Sequence, residues 1–212
     1  MSELDLVKSP RPKLVNTIDA LKRGDAAGAR RSLTEYDLLW NGIEVYVSTR
    51  SRPLYLELEA EHQRKIEEML AAANPDLAAI VPVAESMLAK YDEAIRNSET
   101  GPAISPLFDE VAAIRIARAG LRATVASLKG GDNAQANASF HDFQHEWPGV
   151  KGLIQRRSSG ICQEIDDAIA KADDALHQGK PAPEVAPLVD AVMDRYNAGL
   201  GLVVTEARAA TG

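Results

Sequence analysis

The sequence predicts an all-α fold of two tandem four-helix units forming a pseudo-two-fold helical bundle, and three observations predict it. Ala, Leu, Glu, Arg and Asp dominate while aromatic residues make up only 5% of the chain, so intrinsic propensity favours helix over strand nearly everywhere. Apolar residues recur three and four apart, which is the period of one helix face. Finally, Leu21-Lys22-Arg23-Gly24-Asp25 returns as Leu128-Lys129-Gly130-Gly131-Asp132, and repetition on that scale marks a duplicated architectural unit.

The repeat runs through every element. The first helix is expected over 4–22, with Leu4, Val7, Leu14, Ile18 and Leu21 as its stripe, and again over 105–129, where Val111, Ile114, Leu121, Val125 and Leu128 take the same steps. Pro10 and Pro12 should start or kink the first copy of this helix, detaching Leu4 to Val7. Gly24-Asp25 and Gly131-Asp132 supply a left-handed C-terminal residue followed by an N-cap, reversing the chain into the next helix. That helix is expected over 26–49 and 133–157. Leu33, Tyr36, Trp40, Ile43 and Val47 form its first stripe, and Phe140, Phe143, Trp147, Val150 and Ile154 its second, so the chain's two tryptophans fall in register. Arg50-Ser51 and Arg157-Ser158 close it, with each Ser placed to cap the third helix, over 52–73 and 159–178. There Leu54 and Leu58 match Ile161 and Ile165. The second copy then loses two residues between the breaker clusters Asn74-Pro75-Asp76 and Gly179 to Pro183. The fourth helix follows over 76–96 and 183–208, with Tyr91 meeting Tyr196. Polar, breaker-rich residues separate the copies, giving unit 1 over 1–97, a linker over 98–103 and unit 2 over 104–212. The two Trp helices are the expected contact between halves, and there Glu44 and Lys151 occupy one repeat position with opposite charge.

Composition narrows the function. A net charge of −7 argues against nucleic acid, whose sequence-independent binding needs a basic surface, and against an anionic membrane surface. No stretch has the length and apolarity of a membrane span. The N-terminus lacks a secretion signal, so the chain reads as cytoplasmic as it stands and as periplasmic if it is a processed fragment. The lone Cys162 excludes an internal disulfide framework. No P-loop, dinucleotide fingerprint or nucleophile elbow occurs.

Several residues are candidates for binding. Trp40 and Trp147 sit at the centres of their stripes, as core anchors or as faces for a ligand stacked between them. Arg50 and Arg157 could form an anion site, or bridge to Glu57 and Glu164 across the turn. Glu59 and His62 make an E-x-x-H pattern of the kind found in di-iron carboxylate bundles, with Asp166 and Ile169 at the equivalent positions. His141 and His145, four apart, could share a metal from the outward face of their helix. Glu35, Glu44, Asp142 and Glu146 add carboxylates around the Trp helices, suited to a hard cation or iron.

The run from Gly24-Asp25 to Tyr36, then Trp40, Ile43-Glu44 and Arg50, followed by Leu54 and Leu58-Glu59, resembles the helical extracytoplasmic domain associated with FTR1-type iron permeases. That resemblance implies iron handling, with Glu44 and Glu59 as candidate ligands; Lys151 departs from the pattern in the second copy, and the permease's membrane-borne R-E-G-x-E motif is absent. Two functions follow as expectations. The first is a non-enzymatic helical binding or interaction module for a protein partner, a small ligand or a second copy of the chain as a homodimer. The alternative is a metal-binding protein, for iron or another divalent metal, auxiliary to iron uptake.

Overall fold

The structure, a computed structural model, describes residues 2–102 and 104–210. Met1, Ala103, Thr211 and Gly212, the end of the expected linker and the extreme ends of the expected units, lie outside the described residues. Every regular element among the described residues is helical, and the chain divides into two units, Met1–Ala103 and Ile104–Gly212. No helix among them is long and apolar enough to cross a membrane.

In unit 1 the first helix is split. α1 (Glu3–Lys8) carries a capping box between Ser2 and Asp5, and α2 (Arg11–Lys22) starts afresh with Pro12 in its first turn, where a missing N–H costs nothing. Gly24 follows at φ 77°, in the left-handed region that suits glycine. Asp25 then caps α3 (Ala26–Arg50) by accepting from the Gly28 N–H at 2.7 Å. Ser51 caps α4 (Arg52–Leu56) through the Leu54 N–H. What reads in the sequence as one third helix proves to be three pieces, because α4 passes into a π-helical segment (Glu57–Gln63) before α5 (Arg64–Ala71). Asp76 caps α6 (Leu77–Thr100), which continues three residues into the stretch expected to be linker.

Unit 2 repeats this plan with α7 (Leu107–Ala117), α8 (Ala119–Lys129), α9 (Asn133–Gln155), α10 (Ser159–His177) and α11 (Ala182–Ala209). Gly131 at φ 75°, Asp132 and Ser158 make the same reversals and caps. The first helix breaks here too, at Arg118, although no proline precedes it. Gly120 explains the close approach just beyond the break: a Cβ there would stand 2.8 Å from both the Phe143 nitrogen and the Ser139 carbonyl oxygen of α9. Only the smallest residue lets α8 lie that near a neighbouring backbone.

Each unit has its own core. In unit 1, Trp40 and Tyr36 of α3 meet Tyr91 of α6, with ring centroids 5.8–5.9 Å apart. In unit 2, Phe143 and Trp147 of α9 close on Tyr196 of α11 at 5.6 and 5.7 Å. The buried tyrosines also tie the split first helix down: Tyr91 donates to the Val7 carbonyl at 2.8 Å and Tyr196 to the Ile114 carbonyl at 2.7 Å. Val7 and Ile114 are repeat partners, as are the tyrosines.

Burial locates one of the two residues that the second copy lacks between the start of its third helix and its fourth. Leu58 still matches Ile165, but beyond the π segment the buried residues His62, Gln63, Ile66 and Leu70 match Ala168, Ile169, Ala172 and Leu176, a shift of one position. A π turn is a one-residue insertion into a helix, and here it takes up one residue of the length difference. The counterpart of His62 is therefore Ala168, not Ile169.

Candidate functional site

The π segment lies against α3 and α6 and distributes three polar side chains between them. Glu59 turns toward α3, where its Oε2 accepts from the Trp40 indole N–H at 2.6 Å. Gln63, 4% exposed, reaches Asp37 of α3 at 2.8 Å and Glu67 of α5 at 3.0 Å through its amide nitrogen. His62 turns the other way, to Ser86 of α6. Glu59 and His62 thus do not converge as an E-x-x-H pair would require, because the widened turn sends them to different neighbours.

Trp40 is fully buried, and its indole is stacked on Tyr36 and on Tyr55, with Tyr91 at its edge. No face of it is left for a stacked ligand. Trp147 is 5% exposed and donates to Asp166 Oδ1 at 2.9 Å, so both indoles sit in the core and spend their N–H on a carboxylate of the third helix. Beside that bond the units differ. In unit 2, Lys151 Nζ also bonds Asp166, at 2.6 Å, which raises the pKa of the ammonium and pairs the charge locally. Lys151 therefore finds its partner within its own unit. In unit 1 the same position is Glu44, so a carboxylate replaces the ammonium.

Two further replacements run in the same direction. Phe143 in unit 2 is Tyr36 in unit 1, whose hydroxyl is fully buried without a hydrogen-bond partner. Burial pushes its pKa well up, and Tyr91 and the carboxylates of Glu59, Asp37 and Glu44 push it further. Ile169 in unit 2 is Gln63 in unit 1, whose buried Oε1 also has no partner. Unit 1 thus has Tyr36, Glu44, Glu59 and Gln63 at the repeat positions where unit 2 has Phe143, Lys151, Asp166 and Ile169. Glu44 and Glu59 were legible as candidates in the sequence; Tyr36, Asp37 and Gln63 were not. The signal that finds them is the replacement of Phe143 by Tyr36 and, once the π shift is known, of Ile169 by Gln63.

The other candidates are dispersed. Arg50 donates from Nε and Nη2 to the two carboxylate oxygens of Glu3, at 2.9 Å each, and from Nη1 to the Pro102 carbonyl at 2.6 Å. Arg157 pairs with Glu110 and Glu206. Both arginines are latches inside their units and are not available as anion sites. Neither bridges to the Glu across the turn: Glu57 pairs with Lys90 at 3.1 Å and Glu164 with Arg195 at 3.8 Å. His141, His145, Asp142 and Glu146 are exposed on α9, and Glu35 pairs with Lys13. Among the described residues, no group of three or more His, Cys, Asp or Glu is placed to hold a metal ion.

The chain matches no protein-family model, no curated protein and no solved structure.

Proposed function

We propose that the chain is a non-enzymatic helical binding module whose first unit takes up a divalent cation beside Trp40. The observation that carries this reading is the exchange between repeat partners, in which Lys151 of unit 2 bonds Asp166 at 2.6 Å while unit 1 has Glu44 at the repeat position of that lysine and Glu59 at that of Asp166. In unit 2 a covalently held cation sits against the indole-bound carboxylate; unit 1 has a carboxylate at the repeat position of that ammonium, an exchange of charge that favours a cation from solution. The unpartnered Tyr36 hydroxyl and Gln63 Oε1 support the same reading. A buried polar atom without a partner costs free energy, and a hydrated cation supplies partners through its waters. Oxygen donors of this kind suit hard cations and iron. The resemblance to the extracytoplasmic domain of FTR1-type permeases favours iron, with Glu44 and Glu59 as ligands and a role auxiliary to iron uptake.

Calorimetric titration with Fe2+, Mn2+ and Zn2+ tests the reading. One cation per chain is expected to bind more tightly than about millimolar, the weak end of oxygen-ligand sites, and Glu59→Gln is expected to loosen it by about tenfold or more. Binding no tighter than millimolar for all three cations would contradict it.

A further inference from the structure

His62 and Ser86 form a pair that the cation reading does not use. The His62 ring is 9% exposed, with Nδ1 2.8 Å from the Glu57 carbonyl oxygen and Nε2 2.9 Å from Ser86 Oγ. A carbonyl only accepts, so Nδ1 carries the proton. In the neutral ring Nε2 is then the acceptor, and the Ser86 hydroxyl donates to it. A nucleophile bonded to a base, with the base oriented by a third group, is the arrangement that activates a serine hydroxyl. The π segment builds it: His62 lies five residues after Glu57, and the extra residue in the turn brings its ring to α6. Ser86 itself is exposed, and it opens with His62 onto a cleft whose walls include Glu61, Lys65, Pro82 and Val83.

Unit 2 shows what the groove is without the pair. Its cleft between α10 and α11 is lined by Asp167, Ala168, Lys171, Leu188 and Ala191. These are the counterparts of Glu61, His62, Lys65, Val83 and Ser86. The acid, the lysine and the apolar wall recur, whereas His62 and Ser86 are both replaced by alanine. The groove therefore forms without them, and packing alone does not call for a histidine and a serine at these positions.

We propose that Ser86 is a covalent acceptor site, acylated by activated acyl esters with His62 as its general base. Ser86 Oγ bonds the acyl carbon as its proton passes to His62 Nε2. The ester bond then breaks, the leaving oxygen departs with the bonding electron pair, and Nε2 gives up its proton to that oxygen or to water. The product is an O-acyl Ser86 and neutral His62, with no redox change. This chemistry is independent of the cation proposed beside Trp40, since Glu59 and His62 face different helices.

The test is acetylation of the intact chain by p-nitrophenyl acetate, followed by peptide mass spectrometry. Ser86 is expected to be acetylated at least about tenfold faster than the exposed Ser159 of the same molecules, and His62→Gln to slow it about a hundredfold, the usual reach of general-base assistance. Ser86→Ala is expected to remove the modification while leaving the helical circular dichroism unchanged. Acetylation of Ser86 no faster than that of Ser159 in the wild-type chain would overturn the proposal whether or not His62→Gln folds, as would an unchanged rate in a folded His62→Gln chain.

Discussion

Trp40→Ala is expected to destabilise unit 1 by about 3–5 kcal/mol, the range for truncating a fully buried large aromatic. The indole is 0% exposed and packed against Tyr36, Tyr55 and Tyr91, so truncation leaves a cavity lined by rings that α3, α4 and α6 hold in place. The loss also strips Glu59 of the donor at 2.6 Å, leaving a half-buried carboxylate with less to stabilise its charge. Chemical denaturation followed by near-ultraviolet circular dichroism measures this directly. A loss below about 1 kcal/mol with cooperative unfolding intact would move Trp40 out of the core.

Arg50→Ala is the second large effect. The guanidinium side chain is 8% exposed and its partner Glu3 20%. Three donated bonds tie the end of α3 to α1 and to the Pro102 carbonyl beyond α6. Removing one member of such a buried bidentate pair leaves the other charge without compensation, and about 3 kcal/mol is the expected cost. Because α1 is only six residues long, it has little stability of its own. Hydrogen exchange over residues 3–8 is therefore expected to rise far more than exchange in α3. A variant with unchanged protection in α1 would show that Tyr91 and the packing of Val7 suffice to hold it.

The features legible in the sequence are the local ones. Gly24-Asp25, Gly131-Asp132, Ser51 and Ser158 were legible because a left-handed glycine and a capping side chain are local choices, fixed within a few residues of the chain. The burial of the stripes around Trp40 and Trp147 follows from helical period alone. Arg50 was legible as a helix-end cation but not as the partner of Glu3, since the alignment of α1 against the end of α3 is set by tertiary packing.

The π segment was hidden for a related reason. Leu58, His62, Ile66 and Leu70 advance by four residues at each step, which reads as ordinary helix in one dimension. Only burial in the two units together shows that Gln63, not His62, stands where Ile169 does. The break at Arg118 left no proline to announce it, and Gly120 declares its purpose only once α9 lies against it. Two polar groupings therefore emerged from the structure: Gln63 with Asp37, and His62 with Ser86. Each depends on a register that one inserted residue shifts.

Unit 1 is proposed to take up a cation at the place that unit 2 fills with its own ammonium. Glu44→Lys tests it most directly, because it gives unit 1 the charge pattern of unit 2 at the repeat position of Lys151. Calorimetric titration with Mn2+ or Fe2+ is expected to lose the one-per-chain binding of the wild-type protein. At the same time the new ammonium pairs with Glu59 as Lys151 pairs with Asp166, and the helical fold is retained. Binding by Glu44→Lys with the stoichiometry and affinity of the wild-type chain would contradict the account.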